Sequence, residues 1–404
     1  MKRWVAIICL VGMGMFLSLW WAGQQLVVRA NSVMTVDMVA DEVDLTPGDG
    51  LCLTASGGCS LRAAIQEANV LSGTDTVVVP AGVYLLSLDG EEGDSVAGDL
   101  NIKDDLILLG AGIDETIVTG NGGDRLWQVG VDVVVTVQDM SWQGGNATLL
   151  ASPNGGGVKN QGDLRLINVI VANSQGVCGG GIYNSGQLTL AYTKVVTNSA
   201  TGNGGGICNM GVLTATDTLL AYNESLVDLL GGGGLYSSHV VRMARSLVTH
   251  NVALFGNGGG LAIENGSLWL DQSWIYHNEA EVLGGGIVGG TSWLTITNST
   301  IAANTVWGET GTAGGIGQFG GEVLMVNSSV SGNRADVGGG LFSVGDIEMA
   351  YVTVVDNVAD TAIGGMVFNG TMSVVRSSVV GNNVGGNCDG VLVSGGYNVS
   401  SDWG

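Results

Sequence analysis

A glycine cluster that returns about every 25 residues constrains this chain more than any other feature. G-G-G-I-Y-N begins at Gly179 and returns as G-G-G-I-C-N at Gly204, G-G-G-L-Y-S at Gly232 and G-G-G-L-F-S at Gly338. The last glycine of each cluster is Gly157, Gly181, Gly206, Gly234, Gly260, Gly286, Gly315, Gly340 and Gly365, at spacings of 24 to 29 residues. Asparagine keeps the same period, at Asn173, Asn198, Asn223, Asn251, Asn278, Asn304, Asn333, Asn357 and Asn382. Two markers sharing one period identify a stack of like units.

The phase of the apolar residues gives the shape of each unit. The residue after each glycine cluster is aliphatic, from Val158, Ile182, Ile207 and Leu235 through to Met366. So is the residue three before each asparagine, from Ile170 and Val195 to Val379. Between them lie alternating pairs such as Leu188/Leu190 and Leu268/Leu270. Alternation with period two means strands with one buried face. Three strands in about 25 residues leave no room for crossover helices. The spacing therefore predicts an all-β chain: a parallel β-helix of three sheets, its coils stacked at about 4.8 Å. The general hand of parallel β connections makes it right-handed. The 70 glycines agree, because glycine costs a helix about 1 kcal/mol relative to alanine. Five before each asparagine stands Asn168, Thr193, Thr218, Ser246, Ser273, Ser299, Ser328, Val352 or Ser377. Stacked Asn and Ser at bends can hydrogen-bond from coil to coil, so both polar ladders read as structural.

Before Asn154 the period blurs, although strand-like runs continue (Thr76–Val79, Val83–Leu88, Leu106–Leu109, Thr116–Val118, Val131–Val137). One helix is expected, from Ser60 to Leu71, capped by Ser60, with Leu61, Ala64, Ile65 and Ala68 on its apolar face. A solenoid needs its open end covered, and this helix fits that place. A Cys52–Cys59 disulfide is expected beside it. Cys178, Cys208 and Cys388 read as scattered, and the absence of C-x-x-C speaks against zinc.

Residues 1–30 read as an export signal: Lys2-Arg3, the apolar stretch Trp4 to Gly23, then Val28-Arg29-Ala30 with small residues at −3 and −1 of a cleavage site. That stretch is long enough to span a bilayer, so an uncleaved N-terminal anchor is the rival reading. Residues 31–105 form the cap and first coils, and residues 106–404 the parallel β-helix. The chain carries a net charge of −23, and without residues 1–30 its 10 bases face 36 acids, a net −26. That field repels phosphate backbones and anionic lipid, which excludes nucleic acid as a partner. A secreted or cell-surface monomer is the expectation.

C-S-L-R-A-A-I-Q-E-A-N, Cys59 to Asn69, resembles the CSLREA motif of secreted bacterial β-helix proteins. The flanking P-G-D-G-L-C (Pro47 to Cys52) and D-T-V-V-V-P-A-G-V-Y (Asp75 to Tyr84) extend the likeness. The segment from Gly381 to Asp402 is similar to the end region of choice-of-anchor Q proteins, whose body is a pectate-lyase-like right-handed β-helix. Ala63 stands where the motif has Glu. The resemblance implies one of two roles: a surface scaffold or adhesin, or a polysaccharide lyase or hydrolase.

Bases are scarce. Arg245 and Arg376 share a phase five coils apart, while Arg242, Arg334, Lys159 and Lys194 read as isolated surface charges. The best acid pair is Asp336 and Asp360, each three after its asparagine in consecutive coils and so positioned to share Ca²⁺. His250 and His277 each precede a ladder asparagine and would stack. Tyr183, Tyr236 and Phe342 form an outward stripe, with Trp127, Trp269, Trp274 and Trp293 elsewhere. Ladders with a structural explanation and few bases favour a non-catalytic scaffold or adhesin, whose partner is an extracellular polysaccharide or surface protein. A polysaccharide lyase or hydrolase is the alternative.

Overall fold

A computed structural model describes residues 31–90, 93–227, 231–370 and 373–401. The export-signal reading of residues 1–30 falls outside the described residues, as does Asp402. Among the described residues no helix is long and apolar enough to cross a membrane.

The chain winds into a right-handed parallel β-helix. Sheet A stacks the three-residue strands that follow the glycine clusters, such as Ile182–Asn184 and Ile207–Asn209. Sheet B begins with Val33–Thr35, Asp75–Val78 and Leu106–Leu109 and continues through five-residue strands such as Gln187–Ala191. Sheet C stacks Lys194–Val196 on Leu219–Ala221 and their successors. A fourth, narrow sheet D adds to the three expected: eight two-residue strands, from Gln175–Gly176 to Val358–Ala359, directly after the asparagine bend. Every strand pairing within these sheets is parallel. Ile182 lies over Ile207, Ile207 over Leu235 and Leu235 over Leu261, all without exposed surface.

The bends explain the polar ladders. At the corner between sheets C and D, Thr197, Tyr222, His250 and His277 have φ of 52 to 56°, so the chain turns sharply there. The next residue is the ladder asparagine, whose side chain is thrown inward. Asn223 Nδ2 donates to Asn251 Oδ1 at 2.9 Å, Asn251 to Asn278 at 2.9 Å and Asn278 to Asn304 at 3.0 Å, all fully buried. Each Oδ1 also accepts the backbone N–H of the preceding coil's asparagine at 3.0 Å. Ser246, Ser273 and Ser299 repeat the device at the corner between B and C.

At both ends of the stack the register differs from the spacing by one residue. Asn173 (φ 52°) takes the turning position and Ser174 the ladder position, its N–H donating to Asn198 Oδ1 at 3.0 Å. Asn382 likewise turns, and Asn383 accepts from Asn357 N. Val171 and Val380 are therefore the buried aliphatics, and Val379 faces solvent. Asn168 and Ser377 turn in the same way at the other corner (φ 51° and 50°). Where a bend carries two polar residues in a row, spacing alone does not say which one points inward.

The helix, Leu61–Ala68, is capped by Ser60, whose Oγ accepts Ala63 N–H at 3.0 Å. It is buried all round rather than on one face. Its polar residues hold the loops that cover it. Arg62 Nε and Nη2 grip Asp41 at 2.6 and 3.0 Å, and Nη2 reaches Gly98 O at 2.8 Å. Gln66 accepts Asp44 N–H at 2.7 Å, and Glu67 accepts the N–H groups of Gly48 and Gly50. The Cys52–Cys59 disulfide forms as expected. A second, Cys178–Cys208, joins two adjacent coils that the sequence left unlinked. The two cysteines are 30 residues apart, so no local spacing announces the pair.

Candidate functional site

The outward column of sheet A starts with Asn101, Gln128, Lys159 and Tyr183, each registered over the next. Just before these strands the chain arrives from its long corner loops. That geometry places Asp99 and Arg125 beside the column. The result is a cleft of about 300 Å³ lined by Gly93, Asp99, Asp124, Arg125, Gln128, Ser152 and Lys159.

Arg125 Nε lies 2.8 Å from Asp99 Oδ2, both side chains almost wholly buried. The guanidinium also donates to Asn154 O at 2.6 Å and Ser152 O at 2.9 Å, so it ties down the loop that walls the cleft. Asp99 Oδ1 accepts Asn101 Nδ2 at 2.9 Å, and Asp124 Oδ2 accepts the Asp99 N–H at 3.0 Å. Burial pushes the Asp99 carboxyl up to about 6, Asp124 adds to the rise, and Arg125 and Asn101 oppose it. Lys159 Nζ donates to Ser152 Oγ at 3.1 Å. Burial holds the ammonium below the usual lysine range, the charge of Arg125 lowers it further, and Asp99 works against both. A carboxyl raised and an amine lowered in one cleft mark it as a candidate functional site.

Sequence reasoning read Lys159 as isolated; the structure sets it beside Arg125 and Asp99. Asp99, Asp124 and Arg125 were missed because they precede Asn154, where the period blurs. A signal was present: L-N-I, W-Q-V and V-K-N share one inward–outward–inward pattern, and a charged residue precedes each of the first two within two positions.

The other candidates fall elsewhere. Asp360 is bound by Arg334 at 2.5 Å, and Asp336 meets the next coil through backbone, its carbonyl accepting Thr361 N–H at 3.1 Å. Among the described residues no group of three or more His, Cys, Asp or Glu is placed to hold a metal. Arg245 and Arg376 pair with Asp217 and Glu348, both at 2.9 Å, and Arg242 lies 4.7 Å over the Trp269 ring. The His250 and His277 rings meet tilted by 45° with centroids 5.2 Å apart, flanked by Tyr222 and Tyr276. Tyr236 is covered, packing with Cys208, Ala262 and Val288. Trp127 lies inside the core against Trp142. Trp269, Trp274 and Trp293 remain open to solvent. The larger cavity, about 640 Å³, is the C-terminal end of the apolar core, lined by Met366, Val375, Val380 and Leu392.

No family profile matches the chain. No curated protein matches its sequence either. Solved structures do resemble it. The A-module of the mannuronan C-5 epimerase AlgE6 from Azotobacter vinelandii superposes with a TM-score of 0.55 at 17% identity, over 85% of this chain and 96% of that one. The catalytic domain of a GH87 alpha-1,3-glucanase gives 0.46 at 13% identity, over 90% and 71%. Pectate lyase Pel9A gives 0.38 at 13%, over 90% and 80%. At these identities the likeness is one of fold alone, a parallel β-helix shared with the epimerase A-module.

Proposed function

We propose that the protein acts on an extracellular acidic polysaccharide, with the cleft of Asp99, Arg125 and Lys159 as its proton-transfer centre, Arg125 and Lys159 offsetting locally the repulsion that the net negative charge exerts on a polyanion. Of the two roles the sequence left open, this prefers the enzyme to the scaffold. The observation that carries it is the opposed displacement of Asp99 and Lys159 within one cleft on the outer face of sheet A. Perturbed titratable groups gather at functional sites, so a carboxyl raised and an amine lowered in one cleft mark it as a candidate catalytic centre. Lys159, more readily deprotonated than a free lysine, takes the proton next to the carboxylate of a uronate ring. Asp99 in its protonated form then donates, either to the glycosidic oxygen that leaves as its bond to the ring breaks, or to the opposite face of the carbon that lost its proton. Arg125, paired with Asp99 and donating to the Asn154 and Ser152 carbonyls, positions Asp99 and lends positive charge to the floor. The similarity in fold to a mannuronan C-5 epimerase module is in keeping with this substrate class.

The test is incubation of the exported protein with uronate polymers and neutral glucans, with and without calcium. Products are read as unsaturated ends by ultraviolet absorbance, as new reducing ends, or as epimers by proton NMR. Turnover of a uronate polymer is expected, and Lys159→Met should lower kcat/KM by about 100-fold or more. Lys194→Met, on sheet C, should leave it unchanged. Absence of turnover and binding on every polymer, or equal rates for Lys159→Met and wild type, overturns the reading.

A further inference from the structure

Asp75 opens the second strand of sheet B and has no exposed surface. Its register partners in later coils are Leu106, Val135 and Leu164, all core residues. A carboxylate therefore stands where the coils from Leu106 to Ile347 all place an aliphatic side chain. A buried charge is costly unless paired and hydrogen-bonded. Asp75 Oδ1 accepts the Ser32 N–H at 2.7 Å. Oδ2, buried too, meets no donor among the described residues. The first strand, Val33–Thr35, lies on Asp75–Val78 in parallel, and Thr76 N–H donates back to Ser32 O at 2.8 Å. Asn31 precedes Ser32, at the end of the segment that reads as an export signal cut after Ala30.

We infer that cleavage between Ala30 and Asn31 supplies the missing cation: the new α-ammonium of Asn31 pairs with Asp75 Oδ2. The inference rests on the export-signal reading and is independent of the glycan reading. In the cut, by an export peptidase, water adds across the peptide bond. Ala30 leaves as a carboxylate and the Asn31 nitrogen remains as an ammonium. Consecutive Cα atoms lie about 3.8 Å apart, so that nitrogen is within one residue's reach of the carboxylate that already holds Ser32. Processing then clamps the first rung of the solenoid, and the uncut chain lacks the clamp.

The experiment starts with export of the full chain and N-terminal sequencing of the product. It then compares that product with a chain carrying Gly-Ser inserted between Ala30 and Asn31, each with and without Asp75→Asn. The expected product begins at Asn31. The insertion should lower the melting midpoint by several degrees in the Asp75 background and leave it unmoved with Asp75→Asn. The α-amine of the wild-type product should react with an amine-labelling reagent at least tenfold more slowly than that of the inserted chain. That measurement decides the matter alone if Asp75→Asn does not fold. A product starting elsewhere, equal melting of the two Asp75 chains, or equal labelling rates overturns the inference.

Discussion

Replacing Asn251 by Ala tests the claim that the ladder holds the coils in register. Asn251 Oδ1 accepts Asn223 N–H at 3.0 Å and Asn223 Nδ2 at 2.9 Å, and its own Nδ2 donates to Leu220 O, Thr249 O and Asn278 Oδ1. Alanine keeps only the backbone bonds: the N–H donation to Asn278 Oδ1 at 3.0 Å and the carbonyl's acceptance of Glu279 N–H at 2.9 Å. Two buried donors on Asn223 then lose their acceptor. At about 1–3 kcal/mol for each unsatisfied buried group, the change costs at least about 2 kcal/mol. The loss is local, because each coil touches only its neighbours. Amide hydrogen exchange at Asn223 is therefore the right measurement, and 2 kcal/mol corresponds to roughly 30-fold faster exchange. Asn327→Ala is the control: its side chain is exposed and donates to Asn298 Oδ1 at 2.8 Å, outside the ladder. Less than about threefold acceleration at Asn223, or equal effects from Asn251→Ala and Asn327→Ala, would refute the reasoning.

Three further outcomes follow from named contacts. Arg62→Met leaves Asp41 buried without its cation and should lower the unfolding free energy by about 3–5 kcal/mol in urea titration. Opening the Cys178–Cys208 bridge with Cys178→Ser releases a loop worth roughly 3–4 kcal/mol of chain entropy, read as a drop in denaturation midpoint. Asp99, raised to about 6 from 3.8, binds its proton more tightly folded than unfolded. Its contribution is therefore most favourable below about pH 4 and is lost as pH rises through 6. The wild type should lose stability relative to Asp99→Asn across that window, so parallel stability–pH curves for the two proteins would contradict the burial of this carboxyl.

The body of the solenoid was legible because its coils repeat one hydrogen-bonding solution. Ile182, Ile207 and Leu235 stack as their phase implies, and the asparagines bury as theirs does. The cleft was not legible for the same reason: Asp99 and Arg125 break the repeat. Their meeting with Lys159 depends on corner loops that carry no periodic signal. The second disulfide stayed hidden because stacking, and not sequence distance, brings Cys178 to Cys208. Arg62 and Glu67 lie off the expected apolar face of the helix, yet they too are buried, under loops that they hold by ion pair and hydrogen bond. Tyr236, taken for an open stripe, is covered by its neighbours in the column, Cys208, Ala262 and Val288.

The ladders also divide the chain into a fixed arc and a free one. From the last glycine of a cluster to the next inward asparagine the count holds at 17 or 18, as from Gly206 to Asn223 or Gly286 to Asn304. From asparagine to glycine it ranges from 7, Asn333 to Gly340, to 11, Asn304 to Gly315. Growth and trimming are thus confined to one corner, the same corner whose earlier turns wall the Asp99 cleft. Insertions there can reshape what the surface grips while the interior keeps its stacking untouched.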